Sequence, residues 1–354
     1  MRVVNKIAFS LLAAVPVLAL AACSSGGSTS GMGTTGAPPE VSRIVVDAVP
    51  TADEAGLYIA QDNGYFRQQG LTVKIVSTPG GEFGMGDLQT GKAQLVAGNY
   101  VSFILAQIAG KYAAPGTTKT VPLDMRIIAD GSQMQPGNQA LYVMPGSRFK
   151  TVADLTRYHA KIAINSPNNV GQVLLGSLFK ENGLNLNGIR QQVLTFPSMI
   201  SALASGKIDS AWLPEPFGTI AQENIGAVPL ADFDQGSLQN FPIGAYIGTR
   251  QWVQQHPNTV AAFLRALEEG QQVADSDRGA VETGLENPKN TGGFAPPPTA
   301  LQAATMTIDT YPLSMDIPVM QRVSDSMFEF GLEPGMKTPY KIINMVQPEP
   351  GMVR

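Results

Sequence analysis

The chain states one phrase twice. Residues 88–99, LQTGKAQLVAGN, align without a gap with residues 203–214, LASGKIDSAWLP, so that Leu88 meets Leu203, Gly91 meets Gly206 and Lys92 meets Lys207. Each copy reads as a helix end, a tight turn and a buried strand. Glycine closes the helix because it enters the left-handed region without a Cβ penalty. The short apolar run that follows suits a strand of a parallel sheet covered on both faces. Helix–Gly–Lys–strand is common in α/β chains, so the phrase alone does not establish a duplication. Its surroundings repeat too. The strand RIVVDA (43–48) leads through a Pro-Thr loop into a helix, KIAIN (161–165) leads through a Ser-Pro-Asn-Asn loop into another, and each lies about 45 residues before its Gly-Lys phrase. Two similar α/β lobes with facing strand ends are expected. Pro214 and Pro216 end the second copy's strand and put Glu215 just past its carboxyl end, where open α/β sheets bind ligands.

Residues 1–22 read as a signal peptide outside the fold. Arg2 and Lys6 make a positive start, and Ile7 to Leu20 is an apolar run of 14 residues, short for a bilayer span. The run ends in Leu20-Ala21-Ala22-Cys23, which resembles the lipobox of bacterial lipoproteins, whose cysteine is acylated and becomes the mature N-terminus. Cys23 is the only cysteine, which excludes an intrachain disulfide and a cysteine nucleophile inside the fold. An ordinary secretory signal with an incidental cysteine is the alternative. The lipidated Cys23 and a Gly/Ser/Thr-rich tether make up residues 23–40. A body tethered to the outer face of a membrane is expected.

The body suits two lobes rather than one small core. We assign residues 41–134 and 242–354 to lobe 1 and residues 135–241 to lobe 2, with crossovers near 131–139 and 232–242. Removing the leader's two positive charges takes the net charge from −4 to −6, and no basic run exists, so nucleic acid is a poor partner. Thr51 is placed to cap the first helix with its hydroxyl, with Asp53 and Glu54 favouring its positive end. The glycine-rich loop 80–84 opens a helix ending at Gly91, Asn258 caps a long amphipathic helix, and residues 286–298 read as loop. Asp316 caps a last helix that carries Met320, Val323, Met327 and Phe328 and closes lobe 1.

Chemistry is sparse. His159 and His256 lack partners at metal-ligand spacing, no metal site or cofactor is expected, and no nucleophile elbow, P-loop or zincin motif occurs. Carboxylates at Glu54, Glu82 and Glu215 lie near strand ends or helix starts, which leaves an enzyme reading open. Binding has more support. Helix amino ends offer unpaired N–H groups and partial positive charge, and two should face the cleft, at Thr51–Glu54 and Ser166–Val170. Ser166, Asn168 and Asn169 add hydroxyl and amide groups there, or serve only to cap the helix.

LYIAQDNGYFRQQGLTVKIV (57–76), the Gly-Lys phrase at 91, KIAINSPNNVGQ (161–172), SALASGKIDSAWLPEPF (201–217) and the closing FEFGL (328–332) follow one another as in a known family. In that order they resemble the nitrate/sulfonate/taurine substrate-binding proteins of ABC importers, which include binders of thiamine-pyrimidine precursors. The resemblance implies a type II periplasmic-binding-protein fold, two α/β lobes joined by two crossovers with a ligand cleft between. It also implies a monomer that carries a small molecule to an ABC permease and its ATPase, not an enzyme. It places ligand contacts at Thr51, Phe83, Gly84, Asn99, Tyr100, the loop of Ser166, Asn168, Asn169 and Val170, and Glu215; Glu54 joins them from the helix-end argument.

No Arg or Lys stands at the expected strand ends, and Asp53, Glu54 and Glu215 disfavour a bare anion unless they face away. A donor-bearing ligand, such as an aminopyrimidine or a zwitterion, suits an acceptor at Glu215, although Glu-Pro at this place also admits a structural role. Two other classes stay open: a pyrimidine-synthase-like enzyme on the same fold, and a surface sensor or adhesive lipoprotein.

Overall fold

The computed structural model describes residues 36–113 and 120–347. The stretch read as a signal peptide, Cys23 and most of the stretch read as a tether lie outside the described residues. Twelve described strands make up two five-stranded sheets and one hairpin: β1 (Arg43–Ala48), β2 (Thr72–Ser77), β3 (Leu95–Asn99), β4 (Lys111–Ala113), β5 (Thr120–Pro122), β6 (Met125–Gln133), β7 (Gln139–Val143), β8 (Lys161–Ile164), β9 (Arg190–Val193), β10 (Ser210–Pro214), β11 (Val228–Asp232) and β12 (Pro242–Thr249). The first sheet runs β2-β1-β3-β12-β6 and the second β9-β8-β10-β7-β11. In the first, β1 pairs parallel with β2 and β3, and β12 lies antiparallel between β3 and β6. In the second, β8 pairs parallel with β9 and β10, and β7 lies antiparallel between β10 and β11.

The sheets are therefore the same arrangement twice. Each is completed by the strand that has just crossed over, β7 arriving from the first sheet and β12 from the second. The repeated phrases occupy equivalent places: Gly91 and Gly206 take φ 73° and 67°, and β3 and β10 follow them with every residue buried. Space around both glycines is open, so it is the positive φ that selects glycine here. β10 (SAWLP) is apolar with one serine, as a strand covered on both faces requires, and Ser210 satisfies its hydroxyl on the Tyr142 carbonyl at 2.8 Å.

Helices cover both sheets. The helix Pro257–Ser276 packs Val260, Phe263, Leu264 and Leu267 into the first sheet's core, where Phe263 stacks on Phe66 with ring centroids 5.2 Å apart. Each such fully buried side chain contributes about 1.5–3 kcal/mol of hydrophobic stabilisation. Among the described residues no helix is long and apolar enough to cross a membrane.

Several local expectations change. Asn258 is not the cap of the long helix, which starts at Pro257; instead Glu40 accepts from the backbone N–H groups of Asn258 and Thr259 and from both their side chains. Residues 81–84 belong to the helix Gly81–Thr90 rather than to a loop before it, and Pro288–Thr291 forms a short helix inside the stretch read as loop. The last helix, Ile317–Glu329, does start at an Asp316 cap, with Met320, Val323 and Met327 buried and Phe328 half-buried. It does more than close the first sheet, because Glu329 pairs with Lys180 on a second-sheet helix and Arg322 donates to the carbonyls of Ser237, Gln239 and Asn240 in the return crossover.

Candidate functional site

The carboxyl ends of β1, β3, β8 and β10 converge between the two sheets, as their shared topology dictates. A cavity of about 30 Å³ lies there. Lobe 1 lines it with Val49, Thr51, Asp53, Glu54, Gly98, Asn99, Ile243 and Gly244, and lobe 2 with Gln139, Asn165, Val170, Phe196, Trp212 and Pro214. None of these described residues is Lys or Arg. The volume admits about two water molecules. Around it the lobes are bonded together: the Ala52 N–H donates to the Glu215 carbonyl at 2.9 Å, and Asn165 Nδ2 reaches the Pro79 carbonyl at 3.4 Å.

The lobe 1 side is acidic. Thr51 donates its hydroxyl to Asp53 Oδ2 at 2.8 Å and makes no side-chain cap bond to the helix, contrary to the capping role expected for it. Asp53 keeps some exposure into the cavity, whereas Glu54 and Asp309 are buried. The carboxyls of Asp53 and Asp309 meet within hydrogen-bond reach, and Asn138 Nδ2 donates to Asp309 Oδ1 from the crossover. Burial raises Asp53 above the usual carboxylate range; burial and then the neighbouring charge of Asp53 push Asp309 and Glu54 well above it. Two facing carboxyls in a buried site cannot both ionise cheaply, so this end of the cleft holds protons at neutral pH.

The lobe 2 side is aromatic and is built on the second copy of the repeated phrase. Trp212 in β10 meets Phe196 edge to face at 5.5 Å, and Phe196 stacks on Phe217 at 5.2 Å. Trp212 Nε1 donates to Gln139 Oε1 at 2.9 Å, and Gln139 Nε2 points toward Asp53 Oδ1 at 3.5 Å. Gly171, at the start of the helix Val170–Glu181, lets that helix lie against the indole: a Cβ there would sit 2.5 Å from the ring.

The residues singled out from sequence divide into four groups. Thr51, Glu54, Asn99 and Val170 line the cavity, with Asn99 also accepting from the Ser102 N–H as a helix cap. Ser166 and Asn168 lie outside it, in an open groove between lobes that Glu82, Leu105 and Leu332 also line. Asn169 stands behind the wall, capping Gly171 N and donating to Asn165 Oδ1. The rest point elsewhere. Tyr100 is core and donates to Asp130 at 2.8 Å; Gly84 is packed against Val96 and Asp47; Phe83 is exposed.

Glu215 needs the largest revision. Its two carboxylate oxygens accept from the Thr219 N–H at 3.0 Å and the Thr219 hydroxyl at 2.9 Å, and it is not among the lining residues. Burial lifts it to about 7 against the pull of those two bonds. Sequence reading missed Gln139, Asn165, Phe196, Trp212 and Asp309. Trp212 lies inside the repeated phrase, two residues before the end of its strand, and is available to that argument; Asp309 carries no local signal.

The NMT1-like family's sequence profile matches residues 37–283. No curated protein matches the chain in sequence. Among solved structures, the chain is similar to the alkanesulfonate-binding protein SsuA of Xanthomonas axonopodis pv. citri, described bound to MOPS. That likeness has a TM-score of 0.69 at 18% identity, over 87% of this chain and 99% of that one. It is similar also to the periplasmic nitrate-binding protein NrtA of Synechocystis PCC 6803, with TM-score 0.70 and 16% identity over 85% of this chain and 84% of that one. A Candida albicans protein described as having the generic periplasmic binding protein fold matches with TM-score 0.64 and 13% identity, over 87% of this chain and 96% of that one. The likenesses show the expected fold, two α/β lobes of periplasmic-binding-protein type.

Proposed function

The chain belongs to the NMT1-like family, and on that premise we propose that it is an extracytoplasmic solute-binding lipoprotein that captures a small organic solute and hands it to an ABC permease and its ATPase. The named solved relatives that bind sulfonate and nitrate support the binding role over catalysis. The observation that carries the reading is the interlobe cavity, with paired polar and aromatic walls at the strand carboxyl ends. At about 30 Å³ it is too small for an organic molecule, so uptake needs the lobes to part and close again. Of sulfonate, taurine-like and pyrimidine-precursor-like solutes, those bearing an amine suit this cleft. Asp53 and Glu54 face the solute, no cation lines the wall, and Phe196 and Trp212 offer flat apolar faces that favour a positively charged or aromatic group. Cys23 supplies the lipid anchor on the outer face of the membrane, and the protein works as a monomer.

A thermal-shift screen of the body from residue 40 onward tests this, with taurine, alkanesulfonates, nitrate, bicarbonate and aminopyrimidines. A solute present at one hundred times its Kd adds about 2.7 kcal/mol. Stabilisation by an aminopyrimidine or taurine is the expected result. A response to bare anions alone would keep the binding role and overturn the amine preference.

A further inference from the structure

Asp309 is held by the crossover rather than by the cavity wall. Its neighbour Thr310 pairs backbone to backbone with Gln133 at the end of β6, N–H to carbonyl in both directions at 3.0 and 3.2 Å. Asn138, in the same crossover, donates to Asp309 Oδ1. The other oxygen, Oδ2, is buried and receives no donor from any amide or hydroxyl. The Asp53 carboxyl lies within hydrogen-bond reach of Asp309, and its own oxygens take the Thr51 hydroxyl and the long contact from Gln139, with the Ser132 hydroxyl also beside them. Two carboxyls in contact satisfy each other only if one of them carries a proton. The ionisable groups around the pair are Glu54 on the same turn as Asp53, Tyr58 on the following helix, Tyr246 on β12 and Tyr311 beside Asp309. All are acids, so an added positive charge is what this corner lacks.

Resting on the solute-binding reading above, we propose that Asp309 is a positioning residue that makes capture proton-linked: it shares one proton with Asp53, and a cationic solute settling against Asp53 expels that proton to solvent. The balance is simple. One O–H bond of the pair breaks, the proton passes to water or buffer, and the solute's positive charge takes its place, so the charge of the buried corner does not change. The arrangement is selective: a neutral or anionic solute offers nothing to replace the proton. It also makes affinity for the cation rise with pH, by up to about tenfold per unit while the pair still holds its proton.

Asp309→Asn isolates the effect. The amide keeps an acceptor for Asn138 and gives Asp53 a permanent donor where the shared proton stood. Calorimetric titration of the full chain with 4-amino-2-methylpyrimidine, in phosphate and in Tris at pH 7, counts protons released. The wild-type chain should release about one more proton per solute than Asp309→Asn, and taking the difference between chains cancels any proton carried by the probe. Equal counts with binding retained would overturn the linkage and leave the solute-binding reading standing. If the probe binds neither chain, the amine preference fails and the pair is judged by melting alone: wild-type Tm should fall more steeply than that of Asp309→Asn between pH 5 and 8, and parallel curves would overturn the shared proton. Asp53→Asn should flatten the melting curve in the same way, which keeps the test decisive if Asp309→Asn does not fold.

Discussion

Trp212 hands its indole N–H to Gln139 Oε1 at 2.9 Å, and this bond fixes which way the amide faces. Indole can only donate, so the amide must turn its oxygen to Trp212 and its NH2 toward Asp53, 3.5 Å away. The aromatic wall of lobe 2 thereby aims a donor at the acidic wall of lobe 1. Gln139 is the first residue of β7, so the strand that arrives from the crossover carries the link.

Gln139→Leu should leave the buried indole N–H without a partner and cost about 1–3 kcal/mol of stability. Trp212→Phe in the same chain removes the orphaned donor, so the double variant should be less destabilised than the two single losses added together. Urea unfolding of the four chains measures this. Additive losses would mean that the bond contributes nothing to the fold.

Gly171→Ala tests how closely the cavity wall is packed. The added methyl would stand 2.5 and 2.7 Å from ring carbons of Trp212, so either the helix Val170–Glu181 retreats or the indole moves into the cavity. We expect a loss of about 1–3 kcal/mol in stability, a shifted tryptophan emission and about tenfold or more weaker solute binding. Wild-type affinity and emission in this variant would show that the wall has slack.

The repeated phrase together with its repeated surroundings makes the fold legible, because Gly91 and Gly206 announce helix ends and the short apolar runs after them suit buried strands. The cleft's position followed from the same argument. Individual site residues were harder to read. Glu215 stands out in sequence for its place past a strand end, but sequence gives no direction to a side chain, and this one turns away to Thr219, the third residue of the next helix. In sequence Asn258 reads as the cap before a helix, yet Glu40, over two hundred residues away in sequence, reaches the same N–H groups. Asp309 is the extreme case: it belongs to the site only because a backbone bridge from Thr310 to Gln133 folds its segment against the crossover.

Glu215→Ala should behave as the loss of a helix cap. Thr219 N–H is one of the amides at a helix start that has no partner within the helix, and the carboxylate is its acceptor. A cost of about 1 kcal/mol is expected, with solute affinity changed less than twofold, while Glu215→Gln keeps the acceptor and should be milder still. A large loss of affinity in Glu215→Gln with stability intact would return this residue to the binding surface.

Cys23→Ser addresses the anchor. Without the thiol no thioether-linked lipid forms, and the body should move from the membrane fraction to the soluble one when cells are fractionated. The melting temperature of the released body should match the wild type, since the tether offers almost nothing apolar to bury. Retention of the variant in the membrane fraction, with lipid label still incorporated, would overturn the lipoprotein assignment.

The dependence of stability on pH should be skewed to the acid side. Burial raises Asp130 to about 7 despite the bonds from the Tyr100 hydroxyl and the Gly131 N–H, and burial and then the charge of Asp87 raise Asp47 to about 7. Glu215 is raised to about 7 as well. A carboxyl raised above its unfolded value of about 4 is protonated more readily in the fold than out of it. The stability it contributes is fully present below pH about 4 and is lost as pH rises through about 7. Glu40 acts in the opposite sense. Although desolvation works against it, the donors at Asn258 and Thr259 hold it at about 2, so its contribution is present above about 4.5 and is lost as pH falls toward 2. Tm should therefore peak at about pH 4 to 4.5, where Glu40 is already ionised and the raised carboxyls still hold their protons, and decline from there toward pH 8. Differential scanning calorimetry across that range decides the matter: a Tm that climbs steadily from pH 5 to 8 would mean that the buried carboxyls ionise within the fold at no cost.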